Sequence, residues 1–350
     1  MREAGEAALH EQAEMERRAR GTLLGLAIGD ALGMPTQMLP RAVVAQLFPR
    51  LEGFEAGPPQ NAISAGQPAG KVTDDTQQAL LVARLLLEGQ GHVKSNRFVE
   101  ELLRWAELAE ADGSEQLGPS SRRALEAVRR GLRPEEAGRR GDTNGAAMRI
   151  APVGIAVPLE PEGRFLERVE EVCRPTHFTG VAIAGATAVA AVISAGVAGA
   201  SFVEALGEAQ RLARLAQERG AYVAAASVAE RLIWAVDLVC HLDEESAQDA
   251  IVDLIGTGVA TQEAVPAAFA IAARWRADPW RACLVAARLG GDSDTIAALV
   301  GAMLGACAGL EVFPQEARTT VVQVNDLDID RLVSGLVALR ARLLQEEVRS

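Results

Sequence analysis

Apolar residues recur at helical spacing along most of the chain and nowhere alternate long enough to predict a strand. Residues 6–19 read as a charged amphipathic helix that runs into Gly21, Gly25, Gly29 and Gly33. A spacing of four puts those glycines on one helix face, where a second backbone can come close, so a central helix is predicted. Asp30 sits in it, either as a polar group at the helix end or as a partner behind a metal site. The breakers crowded into residues 40–70 predict a long irregular excursion with at most a short helix over 42–48, a type of segment that serves as a lid or binding wall. Helices are then expected over 95–109 and 120–130, with a turn at Asp112-Gly113 between them and a short helix starting at Pro134. Residues 201–280 read as two or three amphipathic helices broken near Gly220, 241–245 and 256–258, and 331–347 as a final helix. No internal repeat is apparent.

Two apolar runs open on acidic clusters. Val72-Thr73-Asp74-Asp75-Thr76 leads into a run over 77–87, and Gly290-Gly291-Asp292-Ser293-Asp294-Thr295 leads into 296–300. Carboxylates and hydroxyls in a first helical turn suit the N-cap and the positive end of the helix dipole. Capping accounts for one acid per helix and not for two. Four carboxylates gathered together would repel by several kcal/mol, and a hard divalent cation removes that repulsion. An oxygen-only set of Asp and Thr favours Mg2+, Mn2+ or Ca2+ over zinc.

One stretch, 181–200, runs twenty residues without a charge, the length of a membrane span. Its Ala and Gly content, with Thr187 and Ser194 and no aromatic belt, predicts a helix buried on all sides instead. Composition agrees: among 350 residues, hydrophobics are 49%, charged residues 23% and aromatics 4%, which suits closely packed helices and an all-α fold. The length allows one domain spanning 1–350, with 1–20 as an N-terminal helical extension. A net charge of −12 without a dense basic face disfavours duplex nucleic acid as a partner. The scattered Cys173, Cys240, Cys283 and Cys307 form no zinc or disulfide pattern and read as small buried hydrophobes in a reducing compartment. Residues 1–20 lack the apolar core of a secretory segment, so the expectation is a cytoplasmic protein, not a membrane one, as monomer or dimer.

Between these clusters lies Gly141-Asp142-Thr143-Asn144-Gly145-Ala146-Ala147-Met148-Arg149, a loop leading into a helix. Its glycines can expose several backbone N–H groups as an anion-binding nest, or form an ordinary tight turn. Together with Gly29-Asp30-Ala31-Leu32-Gly33, Thr176-His177 and the two acidic clusters, it resembles the ADP-ribosylglycohydrolase family, in the family's order and over about residues 20–310. The resemblance implies a compact orthogonal multi-helix bundle with a binuclear site, Mg2+ or Mn2+, at helix N-termini. It implies Thr73, Asp74, Asp75, Asp292, Asp294 and Thr295 as metal ligands. Asn144, Gly145, Ala146 and Met148 would line a pocket for ribose and phosphate, with His177 near the ribose.

Such a site suits hydrolysis at ribose C1, where two hard cations can orient the sugar hydroxyls and activate water, and negative charge favours an oxocarbenium-like transition state. Asp74, Asp75 and Asp292 are the candidates to hold or deprotonate that water. Many relatives carry Glu shortly after the Gly-Asp-Ala-Leu-Gly segment, whereas this chain has Met34-Pro35-Thr36-Gln37, and Gln is neither acid nor base. Either an aspartate takes over proton transfer or the substrate differs. The expected substrate is an ADP-ribosylated protein or small molecule. A free nucleoside or other ribosyl compound is the alternative, and a non-catalytic, crystallin-like structural protein a further one.

Overall fold

A computed structural model describes residues 2–111 and 117–349; the turn expected at Asp112-Gly113 lies outside them. The helices, in order, are α1 (Arg2–Gly33), α2 (Arg41–Leu47), α3 (Asp74–Glu88), α4 (Ser95–Ala111), α5 (Pro119–Arg129), α6 (Pro134–Ala137), α7 (Gly145–Met148), α8 (Ala151–Ala156) and α9 (Glu162–Cys173). They continue with α10 (Gly180–Val197), α11 (Phe202–Gln217), α12 (Val228–Cys240), α13 (Glu244–Ala250), α14 (Thr261–Trp275), α15 (Pro279–Arg288), α16 (Ser293–Ala308), α17 (Gln315–Asn325) and α18 (Ile329–Arg349). Among the described residues there is no strand, and the all-α expectation holds.

The glycine face of α1 meets α16 backbone to backbone. A Cβ on Gly21, Gly25, Gly29 or Gly33 would collide with main-chain atoms of Gly305, Gly301, Ala297 and Asp294 respectively. The partners descend as the glycines ascend, so the two helices run antiparallel. Gly301 and Gly305 in turn make room for the carbonyls of Gly25 and Gly21. This lock brings the C-terminal end of α1, with Asp30, beside the N-terminus of α16, with its acids. The short helix expected over 42–48 is α2, and the rest of 40–70 is irregular.

The apolar stretch forms α10, long and apolar enough to cross a membrane by length and composition, with a mean hydropathy of 2.0. Protein covers 94% of it: α8, α11, α14 and α16 pack around it, and only Ala195 is less than buried. Small residues permit this; Gly185 lies against Thr261, and Gly196 against Ala306.

As the glycine spacing predicts, residues 2–33 are one continuous helix of 32 residues, with the glycines packed against α16. Two expectations need correcting. Region 201–280 holds α11, α12, α13, α14 and the start of α15, more than the two or three helices expected; one of them, α14, has Pro266 inside it. Proline removes the N–H that would bond the Gln262 carbonyl, and Arg231 Nε of α12 donates to that oxygen instead at 2.6 Å. Of the cysteines, Cys173 and Cys283 are buried, but Cys307 is half-buried and Cys240 exposed.

Candidate active site

The N-terminus of α3 is fixed from outside. Thr73 is its N-cap, its hydroxyl accepting from the Asp75 N–H at 3.3 Å. The Asp30 carboxylate on α1, fully buried, accepts from the Thr73 N–H at 3.0 Å, the Thr76 N–H at 3.1 Å and the Thr76 hydroxyl at 2.5 Å. These bonds hold the first turn, so Asp74 and Asp75 need not cap it. The Asp75 Oδ2 accepts from the Thr73 hydroxyl at 3.2 Å, and the Asp74 Oδ2 accepts from Gln78 Nε2 at 3.0 Å.

At α16 the chain enters through Gly290 and Gly291, both at positive φ (70° and 65°). These conformations suit glycine, and side chains there would strike Leu39 and Thr257. Gly291 and the 38–39 segment bond each other main chain to main chain, and the Asp292 N–H donates to the Thr257 carbonyl at 2.7 Å. The Asp292 side chain makes no capping bond; the Asn144 amide donates to its carboxylate. Ser293 Oγ lies 2.9 Å from the Thr36 hydroxyl, tying this turn to the end of α1.

Asp30, Asp74, Asp75, Asp292 and Asp294 thereby form one electrostatic group. Burial, then repulsion from Asp294, Asp30 and Asp292, holds Asp74 well above the ordinary carboxylate range. Burial, then Asp74, Asp30 and Asp292, does the same for Asp75, and burial, then Asp292, Asp75 and Asp30, for Asp294. Burial raises Asp292 against bonds from Asn144 and Thr295. Asp30 is pushed up to about 6 by burial, against its bonds to Thr76 and Thr73.

Asp75 Oδ1 and Asp294 Oδ1 are buried without any hydrogen-bond partner. Unpaired buried oxygens amid mutually repelling carboxylates are what a hard cation would satisfy. The donor set fits Mg2+ or Mn2+ in chemistry, with the Thr73 and Thr295 hydroxyls beside the acids. Among the described residues, however, no three acidic or imidazole side chains close around a single point as they stand.

The 141–149 segment approaches the acids at Asn144. Gly145, Ala146 and Met148 follow as α7 and are buried. His177 is buried behind them, its ring against Gly145, with Nε2 at 3.0 Å from the Thr143 hydroxyl and Nδ1 at 2.7 Å from the Thr176 hydroxyl. Burial, then Arg149 and Arg123, lowers its pKa well below the ordinary value, so the ring is neutral. Gln37 is buried, its side-chain amide donating to the Met34 carbonyl at 3.2 Å and its main-chain carbonyl accepting from the Asn61 amide at 2.8 Å.

Two contributors escaped sequence reasoning: Gln78, which holds Asp74, and Thr76, which fastens α3 to Asp30. Arg149, expected with the 144–149 loop to line the pocket, is instead fully buried and bonded to Gln78 and Thr176. The i, i+4 spacing of Asp74 and Gln78 was the available signal for the first.

Comparison with known proteins identifies the family. Residues 11–346 match the profile of ADP-ribosylglycohydrolase. The chain is 36% identical over 324 residues to the uncharacterized protein YegU of Escherichia coli, covering 92% of this chain and 97% of that one. It is 29% identical to the ADP-ribosylarginine hydrolase Tri1 of Pseudomonas putida, over 85% of this chain and 72% of Tri1. A solved structure titled "ADP-ribosylglycohydrolase-related protein complex" superposes with a TM-score of 0.65 at 27% identity, covering 95% of this chain and 99% of that one. With a match across nearly the whole chain, the same fold and relatives named as ADP-ribosyl hydrolases, the protein belongs to the ADP-ribosylglycohydrolase family and is a glycosidase of that kind.

Proposed function

We propose that the protein hydrolyses the glycosidic bond at ribose C1 of an ADP-ribosyl conjugate, carried on a protein or a small molecule, with two divalent cations, Mg2+ or Mn2+, as cofactors. The observation that carries this reading is the pooling of Asp74, Asp75, Asp292 and Asp294 around two buried, unpartnered carboxylate oxygens. Thr73, Asp74, Asp75, Asp292, Asp294 and Thr295 would hold the ions, which when bound supply Lewis acidity and a water acidic enough to ionise near neutral pH. The carboxylates themselves favour positive charge developing on the ribose ring.

Asp74, Asp75 and Asp292 are the groups available to orient the attacking water or take its proton. Asp74 is the most open of the three, and Gln78 occupies only its Oδ2. Asn144, Gly145, Ala146 and Met148 would form one wall for the substrate, with His177 supporting Gly145 from behind. The Gln37 amide, committed to the Met34 carbonyl, moves no proton.

One observation favours a smaller substrate as the second reading. Arg149 is turned into the protein, so the 144–149 segment offers no free guanidinium to a pyrophosphate. A nucleoside or simple ribosyl compound would not need one.

The test is product analysis with ADP-ribosylated arginine, ADP-ribosylated serine, O-acetyl-ADP-ribose and simple nucleosides, each with Mg2+ and with EDTA. Release of ADP-ribose, lost in EDTA and restored by excess Mg2+, is expected. Cleavage of nucleosides alone would establish the second reading, and turnover of none would overturn both.

A further inference from the structure

Three arginines among the described residues are buried, and they are used differently. Arg168 on α9 pairs with the carboxylates of Glu167 and Glu171. Arg340 on α18 spends its guanidinium on main-chain carbonyls of Gly154, Ile155, Val157 and Ser194, and on the Ser194 hydroxyl, a plain role in holding helix ends. Arg149 bonds side chains instead. Its Nη1 donates to Gln78 Oε1 at 2.8 Å, its Nη2 donates to the Thr176 hydroxyl, and its guanidinium lies 4.6 Å from the centre of the Phe98 ring. No carboxylate bonds it directly, although enclosing a cation without one is costly.

The chemistry of these groups fixes their direction. A guanidinium only donates, so Gln78 must turn its carbonyl oxygen to Arg149. Its Nε2–H then faces the other way, to Asp74 Oδ2 at 3.0 Å. Donation into an amide oxygen polarises the amide and strengthens what its N–H can offer.

We propose that Arg149 and Gln78 are a positioning pair for Asp74: the buried guanidinium locks the Gln78 amide, and the amide in turn holds Oδ2 and leaves Oδ1 as the oxygen presented to a divalent cation. Neither residue touches substrate or ion. The pair rests on the divalent-cation reading above and deepens it, since it selects which oxygen of one ligand is offered. Thr176 secures the far side of the guanidinium and passes the network to His177 through its Nδ1. The pocket wall and the α3 acids would thus share one anchor.

The test is calorimetric titration of Mn2+ into the full chain after chelation. The proteins compared are wild type, Asp74→Asn, Gln78→Met, Arg149→Met and the Gln78→Met/Arg149→Met double variant, with the fold of each checked by circular dichroism and thermal melting. Partners standing behind a metal ligand are worth about 10–100-fold in affinity, so Gln78→Met should raise the Mn2+ Kd by about that factor. Because Arg149 reaches Asp74 only through Gln78, the double variant should bind no more weakly than the weaker single one.

If Arg149→Met does not fold, Arg149→Lys takes its place in the cycle, because an ammonium cannot bond Gln78 and Thr176 in the same bidentate way. Unchanged Mn2+ binding in folded Gln78→Met, or affinity losses that multiply in the double variant, would overturn the pair. Those results leave the cation reading standing. Wild-type protein that takes up no Mn2+ at all would overturn the cation reading and the pair with it.

Discussion

The two helix ends that supply the acids are built in different ways. The α3 end is held by side chains: Thr73 caps it, and Asp30 from α1 takes two of its N–H groups and the Thr76 hydroxyl. The α16 end is held by backbone: two left-handed glycines, the Thr257 carbonyl, and a close approach to Gly33 place it, and no side chain caps it. Both ends carry acids beyond what capping uses. At α3 the capping carboxylate comes from another helix, which frees Asp74 and Asp75; at α16 Asp292 is held by Asn144 and Asp294 by nothing at Oδ1. Ordinary helix architecture leaves these acids in surplus, and a surplus of buried negative charge destabilises a fold unless it serves a site.

The largest effects should come from removing that surplus one charge at a time. Asp74→Asn and Asp294→Asn, one from each end, are each expected to lower kcat/KM on an ADP-ribosyl substrate by about 1000-fold or more. In EDTA the same variants should melt higher than wild type, because each removes one of several repelling charges. Rates from product chromatography and melting curves read both effects. A pair of variants with wild-type rates would show that the two ends do not form one site.

Next in size are changes that separate the two modes of construction. Gly33→Ala puts a methyl group against the main chain of Ser293 and Asp294, so it should cost about 1–3 kcal/mol and displace the α16 acids while α3 keeps its cap. Gly53→Ala, in open space, is the control and should change stability little. Chemical denaturation gives the first quantity, and Mn2+ affinity should fall for Gly33→Ala alone.

Smaller again, Asn144→Ala frees one Asp292 oxygen and should reduce turnover by about 10–100-fold with a minor change in melting. Asp30→Asn acts at the other end: it replaces a charged acceptor of three bonds by a neutral one and should lower stability by about 1–3 kcal/mol. Finding the reverse, with Asn144→Ala mainly destabilising and Asp30→Asn mainly slowing turnover, would mean that the two ends had been assigned the wrong kinds of support.

The contrast also explains what could be read from the chain by itself. The glycine spacing on α1 and the acid–hydroxyl clusters opening α3 and α16 are local patterns, set by helical period and cap chemistry, and both appear as expected. The supports are not local. The donors to Asp30 lie 43 and 46 residues away, and Arg149 meets Gln78 across 71 residues and Thr176 across 27. No period or cap rule links such positions. The bond that satisfies the Gln262 carbonyl ahead of Pro266 is equally remote, since Arg231 lies 31 residues from it.

The gentlest probe is pH, applied with divalent ions chelated. The Asp30 carboxyl binds its proton up to about pH 6 in the folded chain and up to its ordinary value of 3.8 when unfolded, and the four site aspartates are raised as well. The folded state therefore holds more protons than the unfolded one across this range, so folding stability from these groups is fully present below about pH 4 and is lost as pH rises through 6 and beyond. Melting in EDTA should occur a few degrees higher at pH 5 than at pH 8, while Mg2+ or Mn2+, binding the charged form, should flatten or reverse the trend. Asp75→Asn/Asp294→Asn should show a shallower pH dependence in EDTA than wild type, because two of the displaced titrations are gone and the Asp30 term at the α3 end remains. A wild-type curve that rises from pH 5 to 8 in EDTA would mean that the acids are not crowded as described, and the distinction between a capped end and an uncapped one would lose its energetic content.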